Sequence, residues 1–447
     1  MCLTGNVVGR NSPSEEEQNM SKMRVCMCLC LGLVLLSAIS PAWAATLEEL
    51  EARVAELEKQ QADSNDFRVY WKDGLRMETA DKSMQWRIGG RIDIDSAWFD
   101  QDNDLIEQLE AAGSDEPDWE DATEIRMARM YMQGLLYDKV EFKFQFDYVD
   151  GDVEPRDVYV GLTGLPFGGI RAGHFKEPFG LQQLTVGQYL TFMERALPGA
   201  FEAERNMGVM AHNHIMDDQM TWALGVFRDS DEFGAGEGDG YNFTGRVTGL
   251  PLYEDKGEQL VHLGMGYSYR HFDDEMRLRQ RPEAHLTPDY LVNTGYFEAD
   301  NASLLGLESA MVWGPASLQA EYTTAFVDSD ERDDPDLCGY YIEASYFLTG
   351  EHRNYNAAKA VFDRIRPKRN FLGKAGGPGA WQVAARYSHL DLDDGAVNGG
   401  ALDTITAGLN WYLNPNTRVM FNYVYADASD LYDGETQIFQ TRFQIDF

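Results

Sequence analysis

The chain has 447 residues, a formal net charge of −36 and aromatic residues at 12% of its length. Such an acidic surface disfavours nucleic acid as a partner. A mean hydropathy of −0.42 excludes a bundle of membrane helices, which need long apolar runs. A membrane β-barrel is compatible with these values, because about half of its strand residues face water.

The only long apolar run, residues 25–40, follows the basic residue Arg24 and precedes the small-residue stretch Ala42-Trp43-Ala44. This order predicts a leader at residues 1–44, with a secretory signal peptide at 23–44 that is cleaved after Ala44. The alternative, a membrane anchor, needs a longer apolar span. Four of the five cysteines lie in the leader, so the mature chain keeps one and forms no internal disulfide. These features are typical of a Gram-negative envelope protein.

Residues 45–64 carry apolar side chains spaced 3, 4 and 3 apart, at Leu47, Leu50, Val54 and Leu57. This spacing predicts a short coiled-coil helix of about two heptads, which is too short to be stable alone. A surface helix without a partner remains the alternative. Residues 65–83 follow as a hairpin or linker, with a predicted turn at Asp73-Gly74.

Residues 84–95 alternate between apolar or Gly positions and polar or Gly positions, which predicts a strand with one apolar and one charged face. The pattern recurs to the end of the chain and divides residues 84–447 into 16 strands. They are predicted at 84–99, 125–137, 139–149, 155–163, 169–175, 206–215, 220–228, 240–249, 260–271, 303–313, 316–327, 338–348, 380–390, 403–413, 417–426 and 437–447.

The predicted connections alternate in length, as they do in outer-membrane barrels with short periplasmic turns and longer outer loops. Residues 100–124, with eleven acids and no Lys or Arg, are predicted to be a long solvated outer loop. Residues 349–379 are an exception, since they are long but fall at the periplasmic end. They include a helix-like stretch, 356–365, that we expect to fold at the mouth of the barrel.

The pattern of the final strand discriminates between two possible folds, a barrel and a sandwich of two sheets. Its odd positions from Phe439 to Phe447 are apolar or Thr, and the even ones are polar. A terminal Phe on such a strand resembles the signal that the barrel assembly machinery recognises. We therefore predict an all-β fold, a 16-stranded antiparallel transmembrane β-barrel preceded by a short N-terminal coiled-coil helix, in the Gram-negative outer membrane.

An ordered set of motifs resembles the phosphate-selective porin O and P family over nearly the whole mature chain. The motifs are Arg171-Ala-Gly-His-Phe-Lys-Glu-Pro-Phe-Gly-Leu, Phe192-Met-Glu-Arg-Ala, Arg205-Asn-Met-Gly, Tyr346-Phe-Leu-Thr-Gly-Glu-His-Arg, Gly379-Ala-Trp-Gln-Val-Ala-Ala-Arg-Tyr-Ser and Gly408-Leu-Asn-Trp-Tyr-Leu-Asn-Pro. The resemblance implies a homotrimeric channel in outer-membrane lipid, with residues 176–205 folded inward as a constriction. It also implies that arginines and a constriction lysine contact small anions such as phosphate.

The chain retains only some of these basic residues. Where the family often has an Arg pair, this chain has Arg126 and, after two residues, Arg129, and the position that aligns with the constriction lysine is Gln188. Other candidates match the basic outer loop of the family or lie on polar strand faces. They are Arg87, Arg91, Arg246, Arg270, Arg277, Arg279, Arg281 and Arg386.

The polar faces also carry acids, so each of these arginines is either a pore-lining group or a strut paired with a neighbouring carboxylate. The acids are Asp93, Asp95, Glu141, Asp147, Glu321 and Glu343. A passive porin for small anions, with phosphate or a related oxyanion preferred, is the leading hypothesis. The alternative is a general or cation-leaning porin, which the net charge and Gln188 favour.

A third hypothesis is an outer-membrane barrel enzyme or adhesin. The sequence holds no nucleotide-binding, Gly-x-Ser-x-Gly or zincin motif, so we expect neither catalytic residues nor a cofactor. His212 and His214 share one strand face, but no third ligand is near them in sequence. We therefore expect no metal site.

Overall fold

The computed structural model describes residues 49–56, 67–149, 151–231, 233–236, 240–330, 334–374 and 376–447. The chain divides into two units, residues 1–66 and 67–447. In the first unit, residues 49–56 are helical, and Leu50 and Val54 are exposed. Leu47 and Leu57 lie outside the described residues, so the coiled coil remains a prediction. Among the described residues, no helix is long and apolar enough to cross a membrane.

The second unit is a closed antiparallel barrel of 16 strands. Its strands are β3 (Gln85–Gln101), β4 (Ala122–Leu136), β5 (Val140–Asp147), β6 (Glu154–Leu165), β7 (Gly168–Lys176), β8 (Arg205–Ile215), β9 (Met220–Arg228), β10 (Asn242–Glu254), β11 (Gln259–Met276), β14 (Phe297–Trp313), β15 (Ala316–Asp328), β16 (Asp336–Phe347), β19 (Ala380–Asp394), β20 (Val397–Asn414), β21 (Thr417–Ser429) and β22 (Gly434–Asp446).

Short elements lie between and before these strands. The short strands are β1 (Arg68–Trp71), β2 (Leu75–Glu78), β12 (Arg279–Gln280), β13 (Val292–Asn293), β17 (Tyr355–Asn356) and β18 (Val361–Phe362). The helices are Asn103–Ala112 and Leu181–Leu184, and the 3₁₀ turns are Gly187–Tyr189, Leu197–Phe201, Asp255–Gly257 and Ala357–Lys359.

The barrel closes where β22 pairs with β3 along nearly the whole length of β22. Around this seam the alternating sequence gives two distinct surfaces, since Ile92 and Ile94 are 43% and 44% exposed whereas Asp93 and Asp95 are 0% and 3% exposed. Apolar side chains face outward and charged ones face the lumen. This arrangement confirms the predicted barrel and excludes two stacked sheets.

Two connections at the outer end differ from the prediction. The turn between β19 and β20 spans only Asp394–Val397, although it lies at the end with long loops. Residues 100–124 are not simply a solvated loop, because Asn103–Ala112 is a helix. Asp102 caps that helix by accepting a hydrogen bond from the Leu105 N–H, and its Leu105 and Leu109 are buried.

Three connecting segments fold into the lumen. We call them the constriction loop (residues 177–204), the outer segment (277–294) and the periplasmic segment (351–366). The constriction loop and the outer segment share one apolar cluster, in which Leu197 and Leu291 are fully buried. The periplasmic segment enters from the end with short turns, where Arg246 donates to the Ala360 carbonyl oxygen at 3.0 Å. The lumen is therefore partly filled from both ends.

The periplasmic segment is not helical as predicted for residues 356–365. Strands β17 and β18 pair with each other and enclose a 3₁₀ turn instead. The reason is packing, because Tyr355 and Phe362 are buried in one apolar cluster with Leu181 of the constriction loop. The short hairpin places Tyr355 and Phe362 opposite each other, so both side chains reach this cluster.

A small hairpin, β1 and β2, continues the seam at the periplasmic end. Strand β2 pairs with residues 85–88 of β3, beyond the point where β22 ends. The terminal Phe447 exchanges two backbone hydrogen bonds with Gly90, each of 2.9 Å, and its ring stacks on Trp71. A Cβ at Gly74 would lie 2.8 Å from the Ile88 carbonyl oxygen, so the turn requires glycine.

The hairpin is tied to the barrel by Asp73, whose carboxylate accepts two hydrogen bonds from Arg366, of 3.1 and 2.6 Å. Burial raises the pKa of Asp73, but the hydrogen bond from Arg366 and the charges of Arg366, Arg364 and Arg87 together hold the pKa below its usual value. A depressed carboxyl pKa contributes stability that is present above the unfolded-state pKa and is lost as pH falls through the folded-state pKa.

We therefore expect Asp73→Asn to lower the thermal midpoint of the barrel at neutral pH and to flatten its decline on acidification. Thermal unfolding followed on gels between neutral pH and about pH 3 measures both effects. An Asp138→Asn change is the control, since Asp138 is exposed and forms no side-chain ion pair among the described residues. Equal acid sensitivity of the wild type and Asp73→Asn would contradict a stabilising role for the contact between Asp73 and Arg366.

Candidate functional site

The constriction loop is held against the lumen wall by polar side chains rather than by strand pairing. Strand β7 ends at Lys176, and the loop then crosses toward β15. There the Glu321 carboxylate accepts hydrogen bonds from the backbone N–H groups of Leu181 and Gln182, both at 2.7 Å. Further along, the Leu197 N–H donates to Ser388 Oγ at 2.9 Å. These contacts fix both ends of the inward excursion.

Three lumen arginines hold the middle of the loop by donating to its carbonyl oxygens. Arg418 donates to Leu190 at 2.7 Å, Arg442 to Met193 at 2.7 Å and Arg386 to Glu194 at 3.1 Å. These arginines lie on β21, β22 and β19, so the loop lies against that side of the barrel. The open part of the lumen is displaced toward strands β3–β8.

A cavity of about 480 Å³ occupies that space, between the wall of β3–β8 and the constriction loop. Its lining is strongly basic, with nine Lys or Arg residues, four acids and His285. The basic residues are Arg91, Arg126, Arg129, Lys143, Arg156, Lys176, Arg195, Arg205 and Arg281, and the acids are Asp157, Glu194, Glu204 and Glu283.

Most of these cations pair with carboxylates. Arg129 lies opposite Asp147 on the neighbouring strand and donates from Nε at 3.0 Å. Lys143 and Arg205 both bind Asp157, the latter at 2.7 Å. Because the carboxylate offsets its charge, a paired cation contributes less to the positive electrostatic potential of the cavity than an unpaired cation does.

Three lining cations, Lys176, Arg195 and Arg281, have no carboxylate within 4.0 Å among the described residues. The Nε groups of Arg195 and Arg281 are buried and have no hydrogen-bond partner within that part of the chain. Arg281 packs against the ring of Tyr290, with its guanidinium 4.7 Å from the ring centroid. The cavity therefore combines an excess of positive charge with unused hydrogen-bond donors.

Four of the eleven residues that the sequence indicated as pore-lining or anion-binding candidates meet in this cavity. They are Arg91, Arg126, Arg129 and Arg281. Arg91 pairs with Asp93 on its own strand, and Arg126 contacts Glu194 of the constriction loop through two hydrogen bonds of 3.3 Å.

Three other candidates are struts. Arg246 binds Glu308 through hydrogen bonds of 2.6 and 2.9 Å, and Arg386 binds Glu283 of the outer segment. Arg270 donates to the buried Glu177 at 3.0 Å. These pairs connect the wall to inward-folded segments or to non-adjacent strands, so they brace the lumen rather than line an opening.

The remaining arginine candidates lie at the two mouths. Arg87 donates to the Asp73 carbonyl oxygen at the periplasmic end. At the outer end, Arg279 packs on Tyr290, 4.1 Å from the ring centroid, and Arg277 packs on Tyr296 at 5.2 Å. They could meet a solute before or after the cavity, but not within it.

Gln188 lies apart from the basic cavity. It sits in the 3₁₀ turn Gly187–Tyr189 and lines a second, much smaller cavity of about 10 Å³ beside Arg364 and Arg418. Its carbonyl oxygen accepts a hydrogen bond from Gln444 at 3.3 Å. It is the preceding residue, Gly187, that borders the basic cavity.

Five of the nine lining cations were not among the candidates predicted from the sequence. They are Lys143, Arg156, Lys176, Arg195 and Arg205. A signal was present for Lys143, which has the same polar-face parity as Asp147. Lys176, Arg195 and Arg205 lie within the motifs of the family. Parity places a side chain in the lumen but does not show whether it meets an opening.

A closed 16-stranded barrel with inward loops and a charged cavity defines a porin. The sequence matches the model of the family "Phosphate-selective porin O and P" over residues 93–447. The chain therefore belongs to the phosphate-selective porin O and P family, and it is an outer-membrane channel protein.

Individual relatives agree with this assignment. Porin O of Pseudomonas aeruginosa is 26% identical over 438 residues, covering 86% of this chain and 93% of that protein. An uncharacterised protein of Caulobacter vibrioides is 30% identical over 400 residues, covering 85% and 77%. The solved anion-selective porin from Comamonas acidovorans has a TM-score of 0.51 at 14% identity, covering 81% of this chain and all of that one. At that identity the likeness shows the fold alone.

Proposed function

We propose that this porin is a passive channel that prefers small anions, with phosphate or a related oxyanion favoured. The observation that carries the proposal is the composition of the lumen cavity, with nine basic and four acidic lining residues. Fixed positive charge at a narrow point lowers the energy of an entering anion and raises that of a cation. The description of the family as phosphate-selective supports the same preference.

The alternative is a general or cation-leaning channel, favoured by the net charge of −36. The eleven acids of residues 100–124 do not line the cavity, and screening limits the reach of exposed charge to about 10 Å at 0.1 M salt. The cavity is therefore expected to determine selectivity.

Reversal potentials in planar bilayers under a potassium chloride gradient test the proposal. The reversal potential of the wild-type channel is expected to have the sign that indicates faster permeation of chloride than of potassium. Phosphate titrated into the bath is expected to reduce the chloride current in a saturable way, because an oxyanion offers several acceptors to the donors of the cavity. A cation-selective potential would refute the proposal, and phosphate without effect would refute its oxyanion part.

The assembly is a further part of the proposal. We infer a homotrimer in outer-membrane lipid, delivered by the barrel assembly machinery after a signal peptide is removed at Ala44. The outward face supports lipid contact, with exposed side chains such as Phe443 and Ile445 on β22. Intact mass of the purified protein tests cleavage, and chemical cross-linking in detergent tests the trimer. A mature chain starting elsewhere, or a monomer alone, would contradict these points.

A further inference from the structure

Lys176 differs from the other cavity cations in lying at the junction between the barrel wall and the constriction loop. It is the last residue of β7, on the barrel wall, and its ammonium donates to the Gln183 carbonyl oxygen of the constriction loop. The loop position aligned with the constriction lysine of the family, Gln188, is neutral and lies outside the cavity. The chain thus places a wall lysine against the constriction loop, whose own position aligned with the lysine of the family is neutral.

A second cation meets the same carbonyl. Arg195 donates from Nη2 to the Gln183 oxygen at 3.3 Å and to the Thr185 oxygen at 3.4 Å. Two like charges are therefore held at one acceptor, and neither has a carboxylate within 4.0 Å among the described residues. Like charges held together repel each other, and an anion between them would relieve that repulsion.

The donors that remain free suit an oxyanion. Lys176 keeps two of its three N–H donors after binding Gln183, and Arg195 Nε is buried without a partner in the described part of the chain. Both residues line the cavity. A tetrahedral oxyanion has several acceptors and can bind donors from both side chains, whereas chloride is a single acceptor without directional preference.

We propose that Lys176 is the selectivity-determining cation of this channel, and that it binds a passing oxyanion jointly with Arg195 at the Gln183 carbonyl. This inference rests on the proposed anion preference and adds the residues responsible. Of the other lining cations, Arg281 packs on the ring of Tyr290, and the rest, such as Lys143 on Asp157, are already engaged by carboxylates.

The test compares Lys176→Gln with Lys368→Gln. Lys368 is exposed near the periplasmic end, where its ammonium donates to the Gly350 carbonyl oxygen, so the control removes the same charge away from the cavity. Lys176→Gln is expected to lower the chloride-to-potassium permeability ratio and to weaken phosphate block about tenfold, the ratio for losing one charge-assisted hydrogen bond. Lys368→Gln is expected to change neither.

Two further variants keep the result interpretable. Lys176→Arg retains the charge and should recover most of the phosphate block, whereas a purely structural role for Lys176 would leave selectivity unchanged in all these variants. If Lys176→Gln does not assemble, Arg195→Gln is expected to weaken the block in the same direction. Wild-type values in Lys176→Gln would overturn the inference but not the proposed function, and a cation-selective wild type would overturn the proposed function itself.

Discussion

Replacing Arg442 with methionine is expected to lower the free energy of unfolding by about 3–5 kcal/mol and to increase current noise in the open channel. Arg442 is 1% exposed and binds Asp95 across the seam through hydrogen bonds of 2.7 and 2.6 Å. It also contacts Glu194 and the Met193 carbonyl oxygen of the constriction loop, both at 2.7 Å. Its loss leaves Asp95 buried without its main partner and releases the loop backbone.

Urea unfolding of the barrel in detergent measures the first effect, and single-channel recordings measure the second. The control is Arg68→Met, because Arg68 is exposed and lies 3.8 Å from Glu78. A surface pair of this kind contributes about 0–1 kcal/mol. Adding Asp95→Asn to Arg442→Met should restore part of the stability, since it removes the unpaired charge. Unchanged stability and quiet currents in Arg442→Met would contradict this role.

The barrel could be predicted from sequence because its pattern is local. Within each strand, as between Gly434 and Asp446, apolar and polar residues alternate over about ten residues. This alternation shows which side chains face outward and which face the lumen. The apolar face of the final strand, which ends at Phe447, indicated a barrel rather than a sandwich of two sheets. The helix Asn103–Ala112 was missed because it lies within residues 100–124, whose eleven acids indicated a solvated loop, although the Asp102 cap was a usable signal.

Whether several lumen arginines are paired could not be predicted, because their partners are distant in sequence. Arg386 pairs with Glu283 of the outer segment and Arg126 with Glu194 of the constriction loop. Parity alone left the choice between strut and lining group open. The position of Gln188 depends on two short turns of the loop, whose geometry is set by contacts with the wall rather than by local sequence.

Removing the constriction loop is expected to increase conductance several-fold and to bring the permeability ratio close to that of the free ions. The change deletes residues 178–203 and joins the ends through two glycines, which is feasible because Lys176 and Arg205 are already paired across β7 and β8. A 16-stranded barrel without inward loops encloses an aqueous channel, so the polar wall becomes hydrated rather than unpaired. The control deletes residues 233–236, which lie in the connection between β9 and β10 and do not line the cavity.

Conductance and reversal potential together decide which part of the lumen sets each property. Increased conductance with retained anion preference would assign selectivity to wall cations such as Arg129 rather than to the pairing of Lys176 with the loop. Unchanged conductance would mean that the outer and periplasmic segments limit the opening, and it would contradict the role of residues 177–204 as the constriction. Because both segments contact the loop through buried side chains, including Leu291 and Phe362, an unaltered heat-induced shift on gels is needed to show that the barrel itself remains closed.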